Sequence, residues 1–277
     1  MNTREMILPE VKKTILVVSF GTSYADTRKA TIDAIEGNIA ETFLDYEVQR
    51  AFTSRIIRKI LKERDEIEVD DPQQALTALK NKGVSEVIIQ ATHVIPGAEF
   101  HDLLRTARHF KDDFEKIVVG MPLLSATERD LRKAAAALTR QMPALKKDEA
   151  VVLMGHGTYH AANAIYAELE RVFKEMDTDN VLVGTLEGVP TLDDVIRKLK
   201  ASPVRKVILM PLLFVAGDHA QNDMAGDEED SWKTILTTEG FDVECYLHGM
   251  GENPAIQSLY IQHIRDAIKG GCRAHLH

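Results

Sequence analysis

Short runs of β-branched and other apolar residues alternate with longer amphipathic stretches along the whole chain. This alternation is typical of βα units, in which each strand of a parallel sheet is followed by a helix that covers it. Four such runs fall in each half: the predicted strands are 14–19, 47–52, 86–91 and 116–120, then 150–154, 180–185, 206–210 and 242–247. The sequence therefore predicts an α/β fold with two lobes, each built on a parallel four-stranded sheet.

The two halves also resemble each other locally. Residues 17–22 (VVSFGT) correspond to 153–158 (LMGHGT), and 84–90 (VSEVIIQ) correspond to 204–210 (VRKVILM). Extending the second pairing without a gap sets Gly97 against Gly217, and Glu99 against His219. A duplication explains this, and so does the need of any βα unit to bury a Val/Ile strand. Either explanation predicts two similar α/β lobes, for which we expect a pseudo-two-fold arrangement.

The domain limits follow from the segments between the strands. A helix predicted over 126–141 closes the first lobe, and a second amphipathic helix begins at Asn253-Pro254, where the proline suits a first helical turn. The predicted domains are an N-terminal α/β lobe at 1–143, a C-terminal α/β lobe at 144–252, and a helix and tail at 253–277. One arrangement left open is that the segment 253–277 packs on the N-terminal lobe.

Composition excludes several classes of partner. The chain has 277 residues and a net charge of −9, which disfavours a nucleic-acid footprint because phosphate binding needs clustered Lys and Arg. No apolar run reaches the roughly 18 residues of a membrane span, and the first residues do not look like a secretion signal. The two cysteines form neither a disulfide framework nor a CxxC pair. We therefore expect a cytoplasmic protein with a small-molecule partner; self-association as a homo-oligomer stays open.

Metal-ligating side chains follow directly after several predicted strands. His156 stands between two glycines after the fifth strand, Glu187 follows the sixth, His219 follows the seventh, and His93 and Glu99 follow the third. The carboxyl ends of parallel strands meet at one edge, where ligands bind. Imidazole and carboxylate suit divalent Co, Ni, Fe or Zn, and the absence of thiolates argues against a closed structural zinc site. A single histidine at a strand end more often forms a hydrogen bond within its own loop, so the argument depends on several such residues lying at the same edge. The sequence predicts an open metal site formed by His156, Glu187 and His219.

Other histidines have a simpler explanation. His101, His109 and His263 lie at helical spacings among charged residues, and the sequence predicts them on the surface.

Four segments carry a resemblance to a known family. They are 17–23 (VVSFGTS), 51–54 (AFTS), 154–157 (MGHG) and, above all, 210–224 (MPLLFVAGDHAQNDM). They resemble the anaerobic cobalt chelatases of cobalamin biosynthesis, class II chelatases that are related in fold to ferrochelatase. The resemblance extends from about residue 14 to 267. It implies two Rossmann-like lobes with a cleft for sirohydrochlorin, a tetrapyrrole rich in carboxylates.

The resemblance also implies roles for the strand-end residues. His156 and His219 fall on the paired metal-binding histidines of the family, where they would also accept the pyrrole protons. Glu187 and, in some members, Glu99 fall on acidic positions of the metal site; Glu99 would act in catalysis, completing the metal shell or relaying protons. His93 falls where some exported relatives bind an additional haem, which the absence of a secretion signal makes unexpected here.

The function implied is insertion of Co²⁺, as substrate, into sirohydrochlorin. The sequence contains no Walker loop, so no nucleotide cofactor is expected. The groups predicted to bind the substrate carboxylates are Ser19, Gly21, Thr22, Ser23, Arg55 and Ser125. Two alternatives stay open: iron insertion into the same tetrapyrrole to make sirohaem, and a non-catalytic protein that binds a divalent metal between two α/β lobes.

Overall fold

Two parallel sheets carry the fold. The computed structural model describes residues 12–125, 127–271, 273, 274 and 276. The first sheet has the order β2-β1-β3-β4, formed by β1 (Lys13–Ser19), β2 (Glu47–Phe52), β3 (Glu86–Ala91) and β4 (Lys116–Gly120). The second has the order β6-β5-β7-β8, formed by β5 (Glu149–Gly155), β6 (Val181–Thr185), β7 (Lys206–Pro211) and β8 (Asp242–Cys245). The strand prediction is confirmed to within one residue at each strand end, except that β8 ends at Cys245 rather than at 247.

Helices connect the strands. In the N-terminal lobe they are α1 (Ala25–Arg28), continued by a π-helical turn (Lys29–Asp33) into α2 (Ala34–Thr42), then α3 (Arg55–Asp65), α4 (Pro72–Asn81), α5 (Ala98–His109) and α6 (Glu128–Thr139). In the C-terminal lobe a 3₁₀ turn (Ala161–Asn163) precedes α7 (Ala164–Glu175), followed by α8 (Leu192–Lys200), a π-helical turn (Ala220–Met224), α9 (Trp232–Thr238), a 3₁₀ turn (Met250–Glu252) and α10 (Pro254–Ile268). The helix predicted from 126 begins at Glu128, because the Thr127 side chain caps it by accepting from the Asp130 amide. Ala126 itself lies outside the described residues.

The core is continuous across the lobes. Ile15 and Val17 of β1 belong to the same buried apolar cluster as Val151 and Leu153 of β5. Alternate residues of these strands point to the opposite face of each sheet, where separate clusters form under the outer helices. Each sheet is therefore buried on both faces, as parallel sheets require, and the inner helical layer joins the lobes.

Helix α10 follows the C-terminal lobe in sequence but packs on the N-terminal lobe. Tyr260 Oη donates to the Thr92 carbonyl over 2.9 Å, and Asn253 Nδ2 donates to the Ala137 carbonyl over 2.9 Å. His263 Nδ1 donates to the Met121 carbonyl over 3.0 Å, and burial lowers the pKa of His263. The prediction that His263 lies on the surface is wrong: only 6% of this residue is exposed, because its helix face is covered by the other lobe.

Reciprocal contacts relate the two lobes. A β-carbon at Gly97 would lie 3.8 Å from Thr158 Cγ2, and a β-carbon at Gly217 would lie 3.6 Å from Thr22 Oγ1. In the first pair the loop after β3 approaches the loop after β5; in the second pair the loop after β7 approaches the loop after β1. Each pair therefore joins a loop of one lobe to a loop of the other, and the two pairs are equivalent with the lobes exchanged. Together with the matching strand orders, this is the relation that a pseudo-two-fold axis produces. None of the described helices is both long and apolar enough to cross a membrane.

Candidate metal site at the cleft between the lobes

His156 is held by a tight turn directly after β5. Gly157 has φ +83°, in the region that only glycine adopts without strain, and a β-carbon there would lie 2.8 Å from the Gly188 nitrogen. The imidazole Nδ1 donates to the Gly157 carbonyl over 3.0 Å. Since a carbonyl can only accept, the proton of the neutral ring lies on Nδ1, which leaves the lone pair of Nε2 free.

Glu187 is brought to His156 by main-chain hydrogen bonds between their loops. The Glu187 amide donates to the His156 carbonyl over 2.8 Å, and the Leu186 amide donates to the Gly155 carbonyl over 3.0 Å. The Glu187 Oε2 atom lies 3.9 Å from His156 Nδ1, and the Glu187 side chain is 65% exposed. The carboxylate therefore lies beside the imidazole without a close hydrogen bond and is free to turn toward a metal.

His219 lies immediately before the π-helical turn that follows β7. Its Nδ1 lies 2.6 Å from Asp223 Oδ2, one turn further along the chain. A carboxylate fixes the proton of the neutral ring on Nδ1 and makes Nε2 a better ligand, as in many carboxylate–histidine–metal sites. His219 and His156 thus share the tautomer that presents Nε2.

The two imidazoles meet at the cleft. Their ring centroids are 4.8 Å apart, with an angle of 80° between the ring planes. The side chains are 43% exposed for His156 and 40% for His219, so both can be reached from solvent. Within the described part of the chain, no group of three or more His, Cys, Asp or Glu side chains is drawn together closely enough to hold a metal ion. The structure therefore brings together a histidine pair, with Glu187 near by, and leaves coordination positions open.

A family model described as cobalt chelatase (CbiK) matches residues 13–269. The chain belongs to this family. It is 42% identical over 258 residues to the sirohydrochlorin cobaltochelatase of Salmonella typhimurium, an alignment that covers 93% of this chain and 97% of that protein. It is 36% identical over 264 residues to the sirohydrochlorin cobaltochelatase CbiKC of Nitratidesulfovibrio vulgaris, covering 94% of this chain and 92% of the relative.

Solved structures with the same fold include other chelatases. SirB from Bacillus subtilis, solved with Fe³⁺, superposes with a TM-score of 0.63 at 13% identity, covering 92% of this chain and 95% of SirB. CbiX, described as the terminal enzyme for siroheme biosynthesis in denitrifying bacteria, superposes with a TM-score of 0.50 at 18% identity, covering 92% and 99% of the two chains. At these identities the likeness concerns the fold alone.

His93 of this chelatase lies against Glu99. His93 Nε2 is 3.2 Å from Glu99 Oε2, and only 10% of the His93 side chain is exposed. Its Nδ1 is buried without a hydrogen-bond partner. A haem iron needs a ring nitrogen that is both exposed and free, and neither nitrogen of His93 is both. The observed geometry does not fit haem ligation; His93 instead lies in contact with Glu99.

The residues predicted to bind substrate carboxylates divide into buried and exposed groups. Ser19, Thr22 and Ser125 are each at most 2% exposed. Their hydroxyls serve the protein: Ser19 accepts from Thr92, Thr22 accepts from the Tyr24 amide, and Ser125 donates to Asp130. For these three residues, only the backbone amides remain candidates for binding the substrate carboxylates.

The other predicted substrate residues lie nearer the surface. Arg55 is exposed at the first turn of α3, and Ser23 is half-buried. Gly21 is buried with φ +99°, and a β-carbon there would meet the ring of Phe52 at 2.7 Å. Arg55 is therefore the charged group of the predicted set that a substrate carboxylate can reach.

Two side-chain contacts in this chelatase were not predicted. Asp223 is the hydrogen-bond partner of His219; the signal was their four-residue spacing, which places two side chains on the same side of a helical turn. His101 and His160 lie against each other across the lobes, with ring centroids 4.7 Å apart. No sequence spacing reports this second contact, because it depends on how the lobes meet.

Proposed function

We propose that this chelatase inserts Co²⁺ into sirohydrochlorin without a nucleotide cofactor. The observation that carries the proposal is the His156–His219 pair, whose rings lie together at the cleft and form their hydrogen bonds through Nδ1, in a chain of the cobalt chelatase family. The two relatives that match nearly the whole chain are both named sirohydrochlorin cobaltochelatase, which favours cobalt over iron as the metal.

The histidine pair would hold the metal loosely enough to release it. Two neutral imidazoles are suitable ligands for Co²⁺, and Glu187 can add a carboxylate oxygen. The remaining coordination positions stay open to water and then to the pyrrole nitrogens. An incompletely surrounded metal can exchange its ligands one at a time, whereas a closed four-ligand site would retain it.

The same imidazoles would accept protons. Metal insertion releases two protons from the pyrrole N–H groups, and each needs an acceptor. When the metal leaves a histidine, the lone pair of that Nε2 becomes available, and imidazole is the side chain best suited to proton transfer near neutral pH. Asp223 would stabilise the resulting His219 cation. Glu99, oriented by His93, would provide a further acceptor in the N-terminal lobe.

Substitution of each histidine tests the proposal. His156→Ala and His219→Ala should each lower the rate of cobalt insertion by about 10²-fold or more, since both a ligand and a base are lost. The matched control is His109→Ala, at the exposed C-terminal end of α5 and away from the strand ends that form the cleft. Insertion is followed anaerobically by the change in the tetrapyrrole absorption spectrum, and folding by circular dichroism. Full activity in either cleft variant would refute the assigned roles.

A further inference from the structure

Phe20 is a large apolar side chain that the structure leaves half in solvent. Among the described residues, six large hydrophobic side chains are exposed: Phe20, Tyr24, Leu44, Ile56, Tyr159 and Val189. Phe20 is 45% exposed and directly follows β1, the strand at which the N-terminal lobe presents its cleft edge. A single exposed apolar side chain is common on protein surfaces, so the interest of Phe20 lies in its place beside the cleft rather than in its exposure alone.

The position of Phe20 corresponds to that of His156. β1 lies between β2 and β3 just as β5 lies between β6 and β7, and each ends paired with its neighbour, Ser19 with Phe52 and Gly155 with Thr185. The next residue is Phe20 in one lobe and His156 in the other. Each is followed by a glycine with positive φ, +99° and +83°. The reciprocal contacts of the lobes make these two positions equivalent about the pseudo-two-fold axis.

The backbone of Phe20 is held firmly. The Ser54 amide donates to the Phe20 carbonyl over 3.2 Å, and the Thr53 amide donates to the Ser19 carbonyl over 2.9 Å. A fixed backbone limits the conformational entropy lost when the ring is covered by a ligand.

We propose that Phe20 is a substrate-contacting residue, whose ring packs on the face of the tetrapyrrole opposite to the face approached by the metal from His156 and His219. The inference rests on the proposed function. At equivalent positions the C-terminal lobe offers an imidazole and the N-terminal lobe an aromatic ring, so the metal is supplied from one side and the apolar macrocycle is supported from the other. Stacking of two aromatic systems and burial of the exposed part of Phe20 would both favour binding.

Binding of sirohydrochlorin to the metal-free protein tests this directly, by anaerobic absorbance titration. Phe20→Ala should raise the dissociation constant of sirohydrochlorin about fivefold, because roughly half of a phenylalanine side chain is left to be buried. Phe20→Trp should bind within about twofold of the wild type, since an aromatic face is kept. Leu44→Ala is the matched control: Leu44 is 85% exposed but precedes β2, at the opposite edge of the sheet, and its loss should change nothing.

A Co²⁺ titration of the same variants separates substrate contact from support of the metal site. Phe20→Ala should bind Co²⁺ like the wild type and show a raised KM for sirohydrochlorin. Wild-type affinity of Phe20→Ala for sirohydrochlorin would overturn the inference while leaving the proposed function intact, and so would an equal loss of Co²⁺ binding. A wild-type protein that neither binds nor converts sirohydrochlorin would instead overturn the proposed function, and the role of Phe20 with it.

Discussion

The carboxylate behind His219 offers a sharp test of how the metal site is built. In Asp223→Asn the shape of the side chain is kept, but an amide can donate as well as accept, so Nδ1 of His219 is no longer held in its protonated form. A fraction of the rings then carries the proton on Nε2, the atom that should bind the metal. Loss of such a carboxylate behind a metal-binding histidine weakens metal affinity or activity by roughly 10–100-fold.

The structure places the expected effect at the lower end of that range. The hydrogen bond is short, 2.6 Å, but His219 and Asp223 are 40% and 48% exposed, so solvent screens the charge of the carboxylate. We expect the dissociation constant for Co²⁺ to rise about tenfold, equivalent to about 1.4 kcal/mol.

The assay is an anaerobic Co²⁺ titration of the metal-free protein, followed by the visible absorption of bound cobalt. Asp227→Asn is the matched control, because it removes the same charge from the same segment while Asp227 pairs with Lys233 rather than with a histidine. Unchanged affinity in Asp223→Asn, or an equal loss in Asp227→Asn, would refute the tautomer argument.

Two further predictions concern the turn at His156 and the packing of α10. A positive φ alone is expected to cost an alanine about 1 kcal/mol. Gly157→Ala should destabilise the protein by more than this and should slow cobalt insertion, because its β-carbon would press on the loop of Glu187. Gly83→Ala, with φ +70° and open space around it, should show only the cost of the positive φ. Equal losses in the free energy of unfolding for the two variants would contradict this. Burial lowers the pKa of His263 from 6.5, despite the opposing effects of Asp130 and Asp266, so the unfolded state binds the proton more readily and the free energy of unfolding should fall as the pH drops below 6.5. Urea unfolding at about pH 7.5 and about pH 5.5 should show a smaller difference for His263→Gln than for the wild type, and identical pH dependence would contradict the assignment.

The sequence predicted the sheets well because a buried parallel strand must be a short, nearly continuous apolar run, and the chain contains eight of them. It also predicted which residues stand at the strand ends, since in parallel sheets that edge is fixed by chain direction. The glycines on either side of His156 gave the clearest local signal, and Gly157 does adopt the positive φ that such a turn needs.

What the sequence could not predict depends on tertiary contacts. The sequence predicts a surface position for His263 because its own helix is amphipathic with charged neighbours, whereas its burial comes from the N-terminal lobe. Ser19 and Ser125 stand where substrate-binding hydroxyls would, yet each is bonded inside its own lobe. The equivalence of Phe20 and His156 becomes apparent only when the two lobes are compared in space.

A chelatase must transfer the metal from its histidine pair to the tetrapyrrole rather than retain it. The most direct measurement is anaerobic incubation of the wild-type protein with Co²⁺ and sirohydrochlorin in the absence of any nucleotide, with Fe²⁺ and Ni²⁺ in parallel. We expect the spectrum of the free tetrapyrrole to change to that of the metal complex over many turnovers, fastest with Co²⁺. Tight one-to-one binding of Co²⁺ without any conversion of sirohydrochlorin would contradict it and favour a metal-binding protein without catalytic activity.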